Sequence, residues 1–172
     1  MSANETLLRL DTLRFRHERD DDRAFRYRLF RDSRPDDWER LPLDATLRRQ
    51  LMRLQFEAQT KSYRTLFPDA RFDIVEFAGE PIGRIVVDRS RTMLRLVDLA
   101  LVPRYRNRGI GTAILAALID EAQAVRLPVR LSVAAENKAA LRLYLRLGFV
   151  AIATTKTDVE LEHWPSVAQK SQ

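Results

Sequence analysis

One junction constrains this chain more than any other feature. The Leu- and Val-rich run at residues 93–102 is stopped by Pro103, and the stretch Arg106-Asn107-Arg108-Gly109-Ile110-Gly111-Thr112 follows. Next comes TAILAALIDEAQAV, whose apolar residues cover most of a helical circumference, as in a buried helix. Pro128 then precedes Val129, Leu131 and Val133, a short strand with period two. Strand, loop, helix and strand in that order demand a parallel or near-parallel crossover within one sheet.

The rest of the chain supplies the partners of that unit. Residues 8–15 alternate, with Leu8, Leu10, Leu13 and Phe15 apolar, and predict a first strand. Asp20, Asp21 and Asp22 place negative charge at the start of a helix that carries Phe25, Leu29 and Phe30. Pro35 and Pro42 bound a loop. From Asp44, Leu47, Leu51, Leu54 and Ala58 recur on one helical face, up to Phe67-Pro68. Residues 72–77 and 82–87 flank Ala78-Gly79-Glu80 as a hairpin, and Arg89-Ser90-Arg91 turns the chain into residues 93–102. These three strands predict an antiparallel meander. Residues 137–147 read as a helix ended by Gly148 in a left-handed cap, and residues 149–154 and 157–164 as closing strands. The expected architecture is a single-domain α/β fold over residues 1–164. Its sheet is mixed but mostly antiparallel and flanked by helices, and residues 165–172 form a flexible tail.

Composition narrows the chemistry. The absence of Cys removes disulfide frameworks, thiolate catalysis and cysteine metal sites, and two isolated histidines, His17 and His163, leave little for a histidine-based metal site or triad. No metal is expected. The first 25 residues hold no apolar run of signal length and no segment approaches the roughly 20 apolar residues of a membrane span, so a cytoplasmic location without a membrane partner is the expectation. The net charge of +6 comes from 26 Arg and 4 Lys interleaved with 24 acidic residues. That spread argues against the concentrated basic stripe of a nucleic-acid-binding module.

The glycines of residues 106–112 let backbone approach a ligand while unpaired amides at a helix start favour phosphate. No Gly-Lys-Ser/Thr follows, so this is not a Walker A loop. Ile114 stands where a dinucleotide fingerprint has Gly or Ala. Taken alone, the stretch is equally a structural turn. Downstream, Asn137, Ala140 and Tyr144 form Asn-x-x-Ala-x-x-x-Tyr on the next helix, followed by Leu147-Gly148-Phe149. Together with Arg-x-x-Gly-x-Gly, this resembles the GNAT superfamily of acyl-CoA-dependent N-acyltransferases, closely over residues 97–150 and in element order from about residue 8 to 164.

The resemblance implies an N-acetyltransferase that moves an acetyl group from acetyl-CoA to a primary amine by direct attack in a ternary complex. The amine is a small molecule or a peptide. The loop would hold the coenzyme's pyrophosphate through the backbone of Arg106, Asn107, Arg108, Gly109, Ile110, Gly111 and Thr112, with Arg106 and Arg108 adding charge-assisted bonds. Leu99, Ala100 and Leu101 would offer backbone to the pantetheine arm and thioester. Asn137 is a second cofactor contact and equally a good helix N-cap. Tyr144 matches the general acid that protonates the departing thiolate; a phenol of pKa about 10 suits that role. Gly148 and Phe149 read as packing.

The general base is not given by the resemblance. Related enzymes carry a Glu where Ser132 or Arg95 stands here. Asp98 remains, an acidic residue inside the apolar run at 94–102, where a carboxylate is costly unless it is paired or faces a cleft. It is read as a base or water relay, with pairing to an Arg as the alternative. Glu57, Tyr63 and Glu76 are candidate substrate-pocket residues, because family pockets form beside those elements. With no Cys and no Gly-x-Ser-x-Gly, a covalent acyl-enzyme has no evident nucleophile. A non-catalytic acyl-CoA-binding sensor on the same fold is the alternative function. Edge strands such as residues 157–164 would allow pairing across a homodimer.

Overall fold

A computed structural model describes residues 12–34, 38 and 42–165. Strand β1 spans Leu13–His17; the earlier part of the expected first strand, and residues 166–172 of the expected tail, lie outside the described residues. A 3-10 turn at Asp20–Asp22 leads into α1 (Arg23–Asp32). The Asp22 carboxylate accepts from the Arg19 backbone N–H at 2.8 Å and from both terminal nitrogens of Arg16 at 2.7 and 2.8 Å. The acidic run thus pins the helix entry to β1. Helix α2 (Ala45–Leu66) is capped by Asp44, whose side chain accepts from the backbone N–H groups of Thr46 and Leu47.

The buried face of α2 differs from the expected one. Leu47 and Leu54 are 46% and 67% exposed, while Met52 and Phe56 are buried. Met52, Phe56 and Tyr63 keep the same helical spacing but lie about 150° around the helix from the Leu47–Leu51–Leu54–Ala58 row. The reason is aromatic: Phe56 packs edge-on against Tyr27 and Phe30 of α1, with ring centroids 5.4 and 5.6 Å apart. Those rings outweigh a leucine row in setting the helix's rotation.

Strands β2 (Arg71–Phe77) and β3 (Glu80–Arg89) form the expected hairpin. Ala78 and Gly79 both have positive φ, 51° and 81°, as a two-residue turn matched to strand twist requires. Strand β4 (Leu94–Leu101) completes the meander, α3 (Ile110–Val125) crosses over, and β5 (Val129–Ala134) returns parallel to β4. Helix α3 buries Ile110, Ile114, Leu115, Leu118 and Ala122 but leaves Val125 55% exposed. It is therefore one-sided rather than buried all round. Helix α4 (Lys138–Arg146) ends at Gly148, φ 87°, as expected, and β6 (Val150–Thr154) and β7 (Asp158–His163) follow.

The seven-stranded sheet runs β1-β2-β3-β4-β5-β7-β6. Only β4 and β5 are parallel, so it is the mixed, mostly antiparallel sheet expected. The last strand is not an edge: β7 pairs with β5 from Val129↔His163 to Ala134↔Asp158, and β6 is outermost. Strand β7 carries the buried Val159 and Leu161, whereas every residue of β6 is exposed. The strand able to extend the core takes the inner place. The main core cluster runs from Phe25 and Leu29 through Ile74, Val87 and Leu115 to Leu131 and Leu161, and Phe30, Met52 and Phe56 form a second one between α1 and α2. No helix among the described residues is long and apolar enough to cross a membrane.

Candidate active site

Two irregularities of β4 create the site. Val86 pairs with Asp98 but Val87 with Leu96, so Val97 is an extra residue that bulges β4. Beyond it, β4 and β5 part: their parallel pairing stops at Leu96↔Leu131. On the β5 side, the backbone of Leu99, Ala100 and Leu101 therefore has no strand partner. Gly83 brings β3 against this stretch, since a Cβ there would meet the Ala100 carbonyl oxygen at 2.6 Å.

The loop after β4 is shaped by local backbone bonds. The Tyr105 and Arg106 N–H groups donate to the Val102 and Pro103 carbonyls, and Asn107 and Gly109 take positive φ of 56° and 79°. The first bond of α3 runs from the Ala113 N–H to the Gly109 carbonyl at 2.9 Å. The amides of Ile110, Gly111 and Thr112 precede it and lack intrahelical acceptors. Arg106 is committed elsewhere than its sequence reading suggested: its Nε donates to the Leu101 carbonyl at 2.8 Å and its Nη2 to the Asp32 carbonyl at 2.9 Å. It ties the loop to the ends of β4 and α1.

A cavity of about 660 Å³ lies between these elements and α4. Its lining includes Leu99, Ala100, Leu101, Arg106, Asn107, Gly109, Gly111, Thr112, Asn137 and Tyr144. Of the loop residues singled out in the sequence, Arg108 and Ile110 do not line it; Arg108 is exposed, and Ile110 is 1% exposed in the core. Asn137 caps α4, its side chain accepting from the Ala140 N–H at 3.1 Å, and also faces the cavity. Both of its sequence readings are thus compatible. Ser33, at the end of α1, and Ala139, Leu143 and Arg146 of α4 also line it and were not singled out. A smaller groove of about 270 Å³, between Phe15, Asp73 and Glu121, shares no residue with this cavity.

Tyr144 packs edge-on against Phe149, centroids 5.7 Å apart. Burial, then the field of Asp98, pushes its phenol up to about 12. Tyr63 of α2 is raised to about 12 by the same two causes in the same order. Asp98 therefore acts electrostatically on both phenols. Its side chain is 24% exposed and accepts from Arg84 Nη1 at 3.1 Å. Burial holds its carboxyl above the ordinary range, opposed by Arg84. Neither Asp98 and Tyr63 nor the two other pocket candidates are among the residues lining the cavity. Glu57 pairs with Arg23, and Glu76 accepts from Arg16 Nε at 2.6 Å.

Sequence reading missed Arg84. The signal was present: a lone charge between Ile82 and Ile85 in one strand and a lone acidic residue in the next apolar strand, which the register sets diagonally, Arg84 opposite Ala100 and Asp98 opposite Val86. Among the described residues, no group of three His, Asp or Glu is placed to hold a metal ion.

Residues 23–149 match the model of the acetyltransferase (GNAT) family. The chain belongs to that family. A curated relative, an uncharacterized N-acetyltransferase of Methanocaldococcus jannaschii, is 35% identical over an 86-residue alignment that covers 45% of this chain. The matched stretch spans only 38% of that relative's length. The fold matches the PaiA N-acetyltransferase of Thermoplasma acidophilum, solved in complex with coenzyme A, at a TM-score of 0.65 and 20% identity, covering 88% of this chain and 98% of that one. It also matches the ribosomal-protein-S18-alanine N-acetyltransferase of Escherichia coli at 0.63 and 20% identity, covering 93% and 98%. At such identities the structural likeness speaks for the GNAT fold alone.

Proposed function

We propose that this GNAT protein is an N-acetyltransferase that transfers an acetyl group from acetyl-CoA to a primary amine by direct attack in a ternary complex. The observation that carries the reading is one cavity bounded by three features: the unpaired stretch Leu99–Leu101, the glycine loop before α3, and Tyr144. Coenzyme A fits these residues. The loop supplies amides at a helix start, and a Cβ at Gly111 would touch only Leu101 Cδ1, at 3.9 Å, so the wall there is open.

Bound acetyl-CoA supplies an activated acyl group as its thioester. The amides of residues 110–112 bind phosphate oxygens, and Asn137 contacts the pantetheine. The free edge of Leu99, Ala100 and Leu101 orients the acyl arm and offers backbone donors to the reacting carbonyl oxygen. Asp98 takes a proton from the incoming ammonium, directly or through water, and Tyr144 delivers the proton on Oη to the leaving sulfur. A phenol at about 12 remains protonated at neutral pH and so holds that proton ready. Tyr63, within the field of Asp98, belongs to the acceptor side. No residue is asked to carry the acyl group, which makes the kinetics sequential.

The test begins with isothermal titration of acetyl-CoA into the wild type and into Gly111→Glu, which sets a carboxylate against the phosphate site. Micromolar binding lost in the variant supports the site. Initial velocities against a panel of primary amines, amino acids and peptides with free amino termini should then give intersecting double-reciprocal lines. Absence of binding by folded protein would overturn the reading, and binding without turnover on any amine would favour an acyl-CoA sensor.

A further inference from the structure

Behind Asp98 lies a chain of buried charges that the direct-attack scheme leaves unused. Glu18, in the connection from β1 to α1, is 2% exposed at its side chain and is approached by three guanidinium groups. Arg26 Nη1 of α1 lies 3.0 Å from its Oε1, Arg64 Nη2 of α2 donates to the same oxygen at 2.6 Å, and Arg84 Nε of β3 donates to Oε2 at 2.9 Å. Arg84, itself 8% exposed, uses its next nitrogen to reach Asp98. Its aliphatic and planar parts are boxed in by Phe72 and Tyr63, whose ring centroids lie 5.5 and 6.0 Å from Cζ. One guanidinium is thus clamped at one end to an anchored carboxylate and at the other to the candidate base.

We propose that Arg84 is a positioning residue: held by Glu18, it fixes the direction of the Asp98 carboxylate and keeps it ionised for proton transfer from the acceptor amine. The proposal rests on reading Asp98 as the base. Its physics follows from the surroundings. A carboxylate three-quarters covered by protein favours its neutral form, which cannot take a proton. A guanidinium at 3.1 Å opposes that burial by favouring the charged form and also aligns it, because the planar fork cannot rotate without breaking the bond to Glu18. The other ionisable groups that face Asp98 do not do this. Glu18 opposes its ionisation, and the Tyr63 and Tyr144 phenols from α2 and α4 carry no positive charge. Arg26 and Arg64 meet Glu18, and Arg34 adjoins Tyr63. The leftover Arg84 Nη2, buried without a hydrogen-bond partner among the described residues, fits a group placed for its two carboxylates rather than for full satisfaction.

Two buried charges of opposite sign give the test a sign. The Asp98 titration is followed through the carbon signal of labelled aspartate carboxyls, identified by its loss in Asp98→Asn. This readout needs no acceptor. Arg84→Met should move the titration upward by roughly one to three pH units, Arg84→Lys should recover most of that shift, and Glu18→Gln should move it downward. Far-ultraviolet circular dichroism and acetyl-CoA affinity, which involve none of these side chains, report folding. With an amine taken from the panel, the acid limb of kcat/KM should follow the same order. A titration unmoved by Arg84→Met overturns the proposal, as does a common direction for the Arg84→Met and Glu18→Gln shifts. If Asp98→Asn transfers acetyl at the wild-type rate, or no amine is acetylated, the base reading itself fails and the role of Arg84 falls with it, whatever the carboxyl titration shows.

Discussion

At the scale of residues, the proposed division of proton chemistry between Asp98 and Tyr144 turns on the same burial acting on them with different results. It disfavours the anion in both, which keeps the phenol a donor and makes the carboxylate depend on a cation beside it. Tyr144→Phe removes the donor while preserving the packing against Phe149. We expect kcat to fall by roughly 10²- to 10⁴-fold with acetyl-CoA affinity within twofold, checked by steady-state kinetics and titration calorimetry. In the wild type, no loss of rate from phenol ionisation should appear below about pH 11, given a phenol at about 12. Asp98 also carries a stability signature. Its folded-state pKa is raised above the unfolded value of 3.8, so its contribution is fully present below that pH and is lost as pH rises through the folded value. Thermal melts should therefore show wild type losing ground to Asp98→Asn as pH climbs from 3.8 toward neutrality.

At the scale of elements, the decisive object is β4, pressed on one side by β3 and released by β5 on the other. Gly83 is what permits the pressing. Gly83→Ala puts a methyl 2.6 Å from the Ala100 carbonyl oxygen, a backbone atom that cannot swing aside. The β3–β4 ladder must open there, at a cost of roughly 1–3 kcal/mol. The displaced stretch is the one proposed to hold the acyl arm. Denaturant unfolding should report the destabilisation, and acetyl-CoA affinity should drop with it, although residue 83 does not line the cavity. Arg106 makes the related point for the loop, since its guanidinium bridges the Leu101 and Asp32 carbonyls. Arg106→Ala should weaken acetyl-CoA binding several-fold more than Arg108→Ala, measured by calorimetry at one salt concentration.

At the scale of the molecule, ion pairs join elements that are far apart in sequence. Arg16 of β1 grips Asp22 and Glu76 of β2, and Arg89 of β3 grips Glu121 of α3 in a two-pronged contact. Bonds from Arg16 hold the Asp22 carboxyl below its ordinary range, and bonds from Arg89 do the same for Glu121. Groups depressed in this way stabilise the fold above their unfolded pKa values, 3.8 and 4.5, and lose that contribution as pH falls through the folded ones. Measured in Asp98→Asn, which removes the opposing contribution of that carboxyl, melting temperature should hold steady from neutrality to about pH 5 and decline below 4.5. Added salt should weaken the exposed Arg89–Glu121 contact more than the covered Arg16–Asp22 one. Arg89→Gln should reduce the salt sensitivity, measured as the change in melting temperature between low and high salt, by that pair's share.

Much of this was written locally. The Ala78-Gly79 turn, the Asp44 and Asn137 caps, the stop at Gly148 and the Pro103–glycine junction each depend on residues within a few positions of one another, so the chain announces them in order. That the glycine loop and Tyr144 line one cavity was legible as two short patterns either side of the α3–β5 crossover. Tertiary structure decided what depends on partners distant in sequence. It turned α2 toward the Tyr27–Phe30–Phe56 rings instead of its leucine row, placed β7 inside β6, spent the Arg106 guanidinium on two carbonyls, and set Arg84 between Glu18 and Asp98. Period and capping follow from the geometry of a single element, whereas rotation, strand order and charge pairing are settled only when the best-packed of several compatible contacts excludes the rest.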